Sequence, residues 1–135
     1  MKFEDLVIEK GYDISFEGIL EPRTKGVRLR ILVNKSEDLT DLLIHPDPNS
    51  EVTTLQIDFP NYVTYSVIYD DFTIWNDDEG YKGEAFRIYE KSSYFDFIRR
   101  KSTLPDKNLK HFSLACIEHK VDIISEYELI ISKIN

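Results

Sequence analysis

Apolar residues recur at every second position through much of the chain. In YDISFEGIL, Tyr12 to Leu20, Ile14 and Phe16 share one side, and in VRLRILVN, Val27 to Asn34, the side is formed by Val27, Leu29, Ile31 and Val33. A period of two is the signature of a half-buried strand. The intervening EPRTKG carries Pro22 and Gly26 and suits a turn, so the two runs predict paired strands. From Thr53 to Phe59, Leu55, Ile57 and Phe59 stand opposite Thr54, Gln56 and Asp58; Pro60 and Asn61 then interrupt the alternation. Tyr62 to Tyr69 resumes it, with Val63, Tyr65, Val67 and Tyr69 on an apolar, aromatic side. FTIW and EAFRIYE predict two further β segments meeting across the acidic turn NDDEG. Phe112, Leu114 and Cys116 alternate with His111, Ser113 and Ala115, and the extended segments VDIIS and YELIISKI follow.

Two segments break this period. After Ser92 or Ser93, either of which can cap a helix, Tyr94, Phe95, Phe97 and Ile98 form an apolar side, and Arg99, Arg100 and Lys101 complement the negative end of the helix dipole. Pro105 limits that helix. SEDLTDLL predicts a shorter one, capped by Ser36 and carrying Leu39, Leu42 and Leu43, which His45, Pro46 and Pro48 end. The expected fold is therefore α+β, mainly β: an antiparallel sandwich or open barrel with one main helix near residues 93–101.

A chain of 135 residues, without an internal repeat or a shift in composition, is expected to form a single domain over residues 1–135. Its 41% hydrophobic content against 31% charged is that of a folded protein rather than an acidic tail. The formal net charge of −8 changes the functional picture more. It repels nucleic-acid phosphate and anionic lipid and attracts basic proteins, so the expected partner is a basic protein, with neither nucleic acid nor membrane. MKFEDLVIEKGYD spaces acids through its apolar residues, and no run approaches the ~18 apolar residues of a membrane span. Cys116 is the single cysteine, which rules out an intramolecular disulfide and fits a reducing compartment. A cytoplasmic protein is expected.

Chemistry could centre on Cys116, which lies near His111, His119 and Asp122. A thiol, an imidazole and a carboxylate form a nucleophilic site if the fold brings them together. Along a strand, however, His111 and Cys116 differ by an odd number of positions and face opposite sides, so a packed core thiol is the competing expectation. The same residues are soft metal ligands, but a zinc site with one cysteine needs Asp122 or His45 to complete it. No glycine motif for phosphate is present. Neither a metal nor a cofactor is expected.

The run SVIYDDFTIWNDDEGYKG interleaves acids with aromatics. It lacks the calcium-loop rhythm, and sequence gives no separation for a carboxylate pair of the glycosidase kind. As a partner-binding surface its candidates are Asp70, Asp71, Trp75, Asp77, Asp78, Glu79 and Tyr81: charge steers the encounter and aromatics hold the complex. A solvated turn beside core aromatics is the alternative. Arg87, Lys91, Arg99, Arg100 and Lys101 form the one basic cluster, which offsets these acids and favours the helix end.

FRIYEKSSYFDFIRRKS followed by HFSLACIEHKVDIIS resembles a family of small uncharacterised bacterial proteins. The resemblance covers roughly residues 57–125 and rests on Arg87, Tyr89, Lys91, Ser92 and Asp96, then on His111, Phe112, Cys116, His119 and Asp122; the chain departs from the family pattern at Phe112 and Glu118. It implies that the His, Cys and Asp positions are more than scaffold, without assigning an activity; the alternative is a strand whose His and Asp hydrogen-bond a neighbouring turn and fix the register of the sheet. In size and acidity such proteins are similar to the immunity proteins of bacterial toxin systems. The expectation is therefore a protein-binding module, immunity-like, that inhibits a basic effector; the alternative is a small enzyme or metal-binding protein using Cys116 with His111, His119 and Asp122.

Overall fold

The computed structural model describes residues 1–43, 51–74, 80–104 and 108–134. Nine strands form two antiparallel sheets among these residues. One sheet has the order β1 (Asp13–Leu20), β2 (Leu29–Ser36), β3 (Thr53–Phe59), β9 (Ile130–Lys133); the other has the order β4 (Tyr62–Tyr69), β8 (His119–Glu126), β7 (Leu109–Ala115), β6 (Phe86–Lys91), β5 (Gly80–Lys82). The sheets stay separate, so the fold is a mainly β sandwich and not a closed barrel. Pro60 and Asn61 turn the chain from β3 into β4, that is, from one sheet to the other, where proline's missing N–H interrupts no ladder.

Alternation dictates the core. Ile14, Leu29, Ile31, Val33, Leu55, Ile57 and Phe59 come from the first sheet and Phe86, Phe112, Leu114, Val121 and Ile123 from the second, all fully buried. Phe59 and Phe112 meet across the interior at 5.9 Å between ring centroids. An additional helix, α1 (Phe3–Ile8), escapes the sequence pattern; its Phe3 packs edge-on against Phe86 and Phe112, and Leu6 joins the same cluster. Buried apolar area on this scale is the main force holding the two sheets together.

The shorter expected helix forms as α2 (Leu39–Leu43), but Asp38 caps it by accepting from the Thr40 amide at 2.9 Å, while Ser36 ends β2 and accepts from the Asp38 amide. The main helix, α3, spans Ser93–Lys101, with Ser92 as its cap. His45, Pro46, Pro48 and Pro105, the expected stops of the two helices, lie outside the described residues. The segment FTIW behaves differently from the expected strand: Asp70–Phe72 form a 3-10 turn and Thr73 and Ile74 carry no ladder. Local bonds explain this. The Thr73 hydroxyl donates to the Tyr69 carbonyl at 3.0 Å, the Thr73 amide to the Asp70 carbonyl, and the Asp70 amide to the Glu118 carbonyl at 2.7 Å. No helix is long and apolar enough to cross a membrane among the described residues.

Candidate functional site

Two places bear on function, one buried and one exposed. The buried one lies on the face of the second sheet that points away from the core. On β7 and β8 that face carries His111, Ser113, Lys120, Asp122 and Ile124, since their neighbours Phe112, Leu114, Val121 and Ile123 point inward. β6 adds Tyr89 opposite His111, and Ser92 arrives from the strand-to-helix junction.

These residues form one hydrogen-bonded chain. Ser92 Oγ lies 2.7 Å from His111 Nδ1, and His111 Nε2 lies 2.8 Å from Asp122 Oδ1. Lys120 Nζ donates to both carboxylate oxygens, at 2.6 and 2.8 Å. In the tautomer with its proton on Nε2, His111 donates to Asp122 and accepts from the Ser92 hydroxyl, which in turn accepts from the Phe95 amide at 3.1 Å. Burial alone would raise the Asp122 pKa. The His111 hydrogen bond and the Lys120 charge outweigh it and hold the carboxyl below its ordinary value.

Serine, histidine and carboxylate in line are the parts of a nucleophilic relay. Here the Ser92 oxygen already caps α3, and Ser92 and His111 are 4% and 1% exposed. The Tyr89 ring stacks on the imidazole at 4.5 Å and 15°, with Tyr94 of α3 at 5.3 Å. An approaching substrate meets aromatic rings, so the arrangement acts as a brace that fastens α3 to the sheet. Tyr94 Oη and Ser113 Oγ are buried beside it without a hydrogen bond of good geometry among the described residues.

Cys116 and His119 belong to the other side. Cys116 joins the core cluster, 5% exposed, and burial pushes its thiol up to about 12. Its amide donates to the His119 carbonyl at 2.9 Å, closing the β7–β8 hairpin. His119 packs between the Phe16 and Tyr69 rings. The structure thus joins His111 with Asp122 and separates both from Cys116, as the odd spacing implies. Ser92 and Lys120 complete the buried group in place of the thiol. Lys120 was legible in principle, standing two residues before Asp122 and so on the same strand face. Among the described residues no three His, Cys, Asp or Glu side chains converge as metal ligands.

The exposed place begins on β4, an edge strand of its sheet. Val67, Ile68 and Tyr69 are 37–44% exposed there, and beyond them Phe72 is 80% and Ile74 90% exposed, directly after Asp70 and Asp71. Tyr81 lies across the sheet on β5, held by the Tyr89 ring at 5.1 Å and by the Arg87 guanidinium over its face at 4.3 Å. Trp75, Asp77, Asp78 and Glu79 lie outside the described residues. Phe72 is one of the aromatics interleaved with acids in this run, and Ile74 speaks there only against a calcium loop; neither is among the expected contact residues, because a short polar turn gives no period from which to read exposure.

No family model, curated protein or solved structure matches the chain.

Proposed function

We propose that the protein is a binding module for a basic protein, docking it through the end of β4 and the turn that follows. The observation that carries this reading is the exposure of Phe72 and Ile74 beside Asp70 and Asp71. Two large apolar side chains held almost wholly in water gain nothing from the fold itself, and clusters of this kind rimmed by charge mark interaction sites. Among the described residues β4 is the edge strand of its sheet, so it offers a backbone edge next to the cluster. The net charge of −8 favours a basic partner, which the field of the whole molecule steers toward this face. An acidic module of this size that covers a basic effector would work as an immunity-like inhibitor.

Affinity capture from the native lysate, followed by mass spectrometry at about 0.1 M and about 1 M salt, tests the reading. Screening shortens from about 10 Å to about 3 Å across that range. The expected result is a stoichiometric basic protein that weakens at high salt and is lost from the variant F72S/I74S and from D70K/D71K. Capture that both variants retain, or no partner at either salt, would overturn the proposal.

A further inference from the structure

The β1–β2 loop and the β3–β4 corner enclose an open cleft of about 540 Å3, within the size range of small-molecule sites. It lies at the opposite end of β4 from Phe72: seven residue steps separate Tyr62 from Tyr69, about 24 Å of extended chain. It is thus independent of the surface assigned to a basic protein.

Both walls are fixed by hydrogen bonds. The Arg28 amide donates to the Phe59 carbonyl at 2.9 Å, tying the loop to the corner, and the Val27 amide donates to the Thr24 carbonyl at 3.2 Å. On the other wall the buried Ser125 hydroxyl donates to the Asn61 carbonyl. A cleft so tied needs little reordering to receive a ligand.

Its charge is out of character with the chain. Acids outnumber lysine and arginine by 25 to 17, yet two arginines, Arg23 and Arg28, are among the residues that line this cleft. Among the described residues neither enters a salt bridge. Glu21, the acid in the lining, is engaged by the Tyr62 hydroxyl. Arg23 also has a φ of +57°, and it is the one non-glycine residue in that region among those described. Glycine or asparagine would sit there at less cost, and such outliers concentrate where a side chain must be presented to a ligand.

We propose that this cleft binds a small organic anion, with the guanidiniums of Arg23 and Arg28 gripping a phosphate or carboxylate group. Guanidinium forks match the paired oxygens of either group, and charge-assisted bonds of this kind are the strong ones. Amide NMR spectra of the full chain, titrated at constant ionic strength with inorganic phosphate and separately with succinate against a chloride control, provide the test. Saturable shifts at Gly26, Arg28 and Asn61 are expected with at least one probe, and the responding probe distinguishes phosphate from carboxylate. R28Q should weaken binding about tenfold or more. R23G should weaken it as far while leaving Tm equal to or above that of the parent, because glycine accepts the left-handed backbone. A purely structural Arg23 would leave the titration unmoved. Absence of saturable shifts with both probes, or titrations unchanged in both variants, would overturn the assignment.

Discussion

Asp122→Asn removes one negative charge from the buried chain of bonds while keeping the side chain's shape. The native carboxylate, with its side chain 6% exposed, accepts from His111 Nε2 and twice from Lys120 Nζ. If the amide oxygen of the variant keeps the His111 bond, the new NH2 group faces the Lys120 ammonium, donor against donor. Breaking a buried pair costs about 3–5 kcal/mol, and the low end applies because the Lys120 side chain, 13% exposed, can turn toward water. A loss of about 3 kcal/mol lowers Tm by roughly 10 °C for a chain of this length and shifts the urea midpoint with little change in slope. The pH dependence has a definite sign. A carboxyl whose folded pKa is depressed contributes stability above its unfolded value, about 3.9, and loses it as pH falls through the folded value. The deficit of D122N should therefore hold from pH 7 to about 5 and shrink below about 4, where the parent too becomes protonated. K120M combined with D122N should be less destabilised than the sum of the single changes, by about 1–2 kcal/mol. A deficit under about 1 kcal/mol at pH 7, or one that persists unchanged at pH 3, would refute the brace.

Other outcomes follow from single residues. Cys116 should resist thiol reagents at pH 7–8 in the folded protein and react on unfolding, since its pKa of about 12 keeps it protonated; rapid labelling of the native state would contradict a core thiol. F72S/I74S should change stability by no more than about 0.5 kcal/mol, because both side chains already lie in water, so a large drop in Tm would show that they pack. Gly83→Ala and Gly26→Ala make a matched pair at φ of +97° and +88°. A Cβ at Gly83 would fall 2.0 Å from the Phe86 carbonyl oxygen and 3.1 Å from Val7 Cγ1, whereas at Gly26 it meets nothing within 4 Å. Thermal unfolding should show G26A costing about 1 kcal/mol and G83A at least about 2 kcal/mol more; equal costs would contradict the close approach of β6.

What could be read from the sequence was whatever obeys a local period. Leu55, Ile57 and Phe59 face the core because alternation leaves them no other side, and Ser92 begins α3 because its hydroxyl is spaced to accept from Phe95. The odd spacing of His111 and Cys116 likewise parted them. What escaped are relations between segments distant in sequence. α1 takes its place through contacts of Phe3 with Phe86 and Phe112, and nothing in FEDLVI announces partners that far along the chain. Nor could spacing place Ser92 beside His111, since that depends on β6 lying next to β7, a choice of strand order. The loop that carries Arg23 and Arg28 becomes one wall of a cleft only because the β3–β4 corner, some thirty residues on, packs against it. The division has a consequence for function. The brace, the exposed apolar turn and the arginine cleft each arise where strands that are neighbours in space are not neighbours in sequence, or where a strand ends. In this sandwich the regular periods build the frame and set His111, Lys120 and Asp122 on the outer face of its interior strands, while the exposed turn and the arginine cleft stand where strands end and no period fixes them.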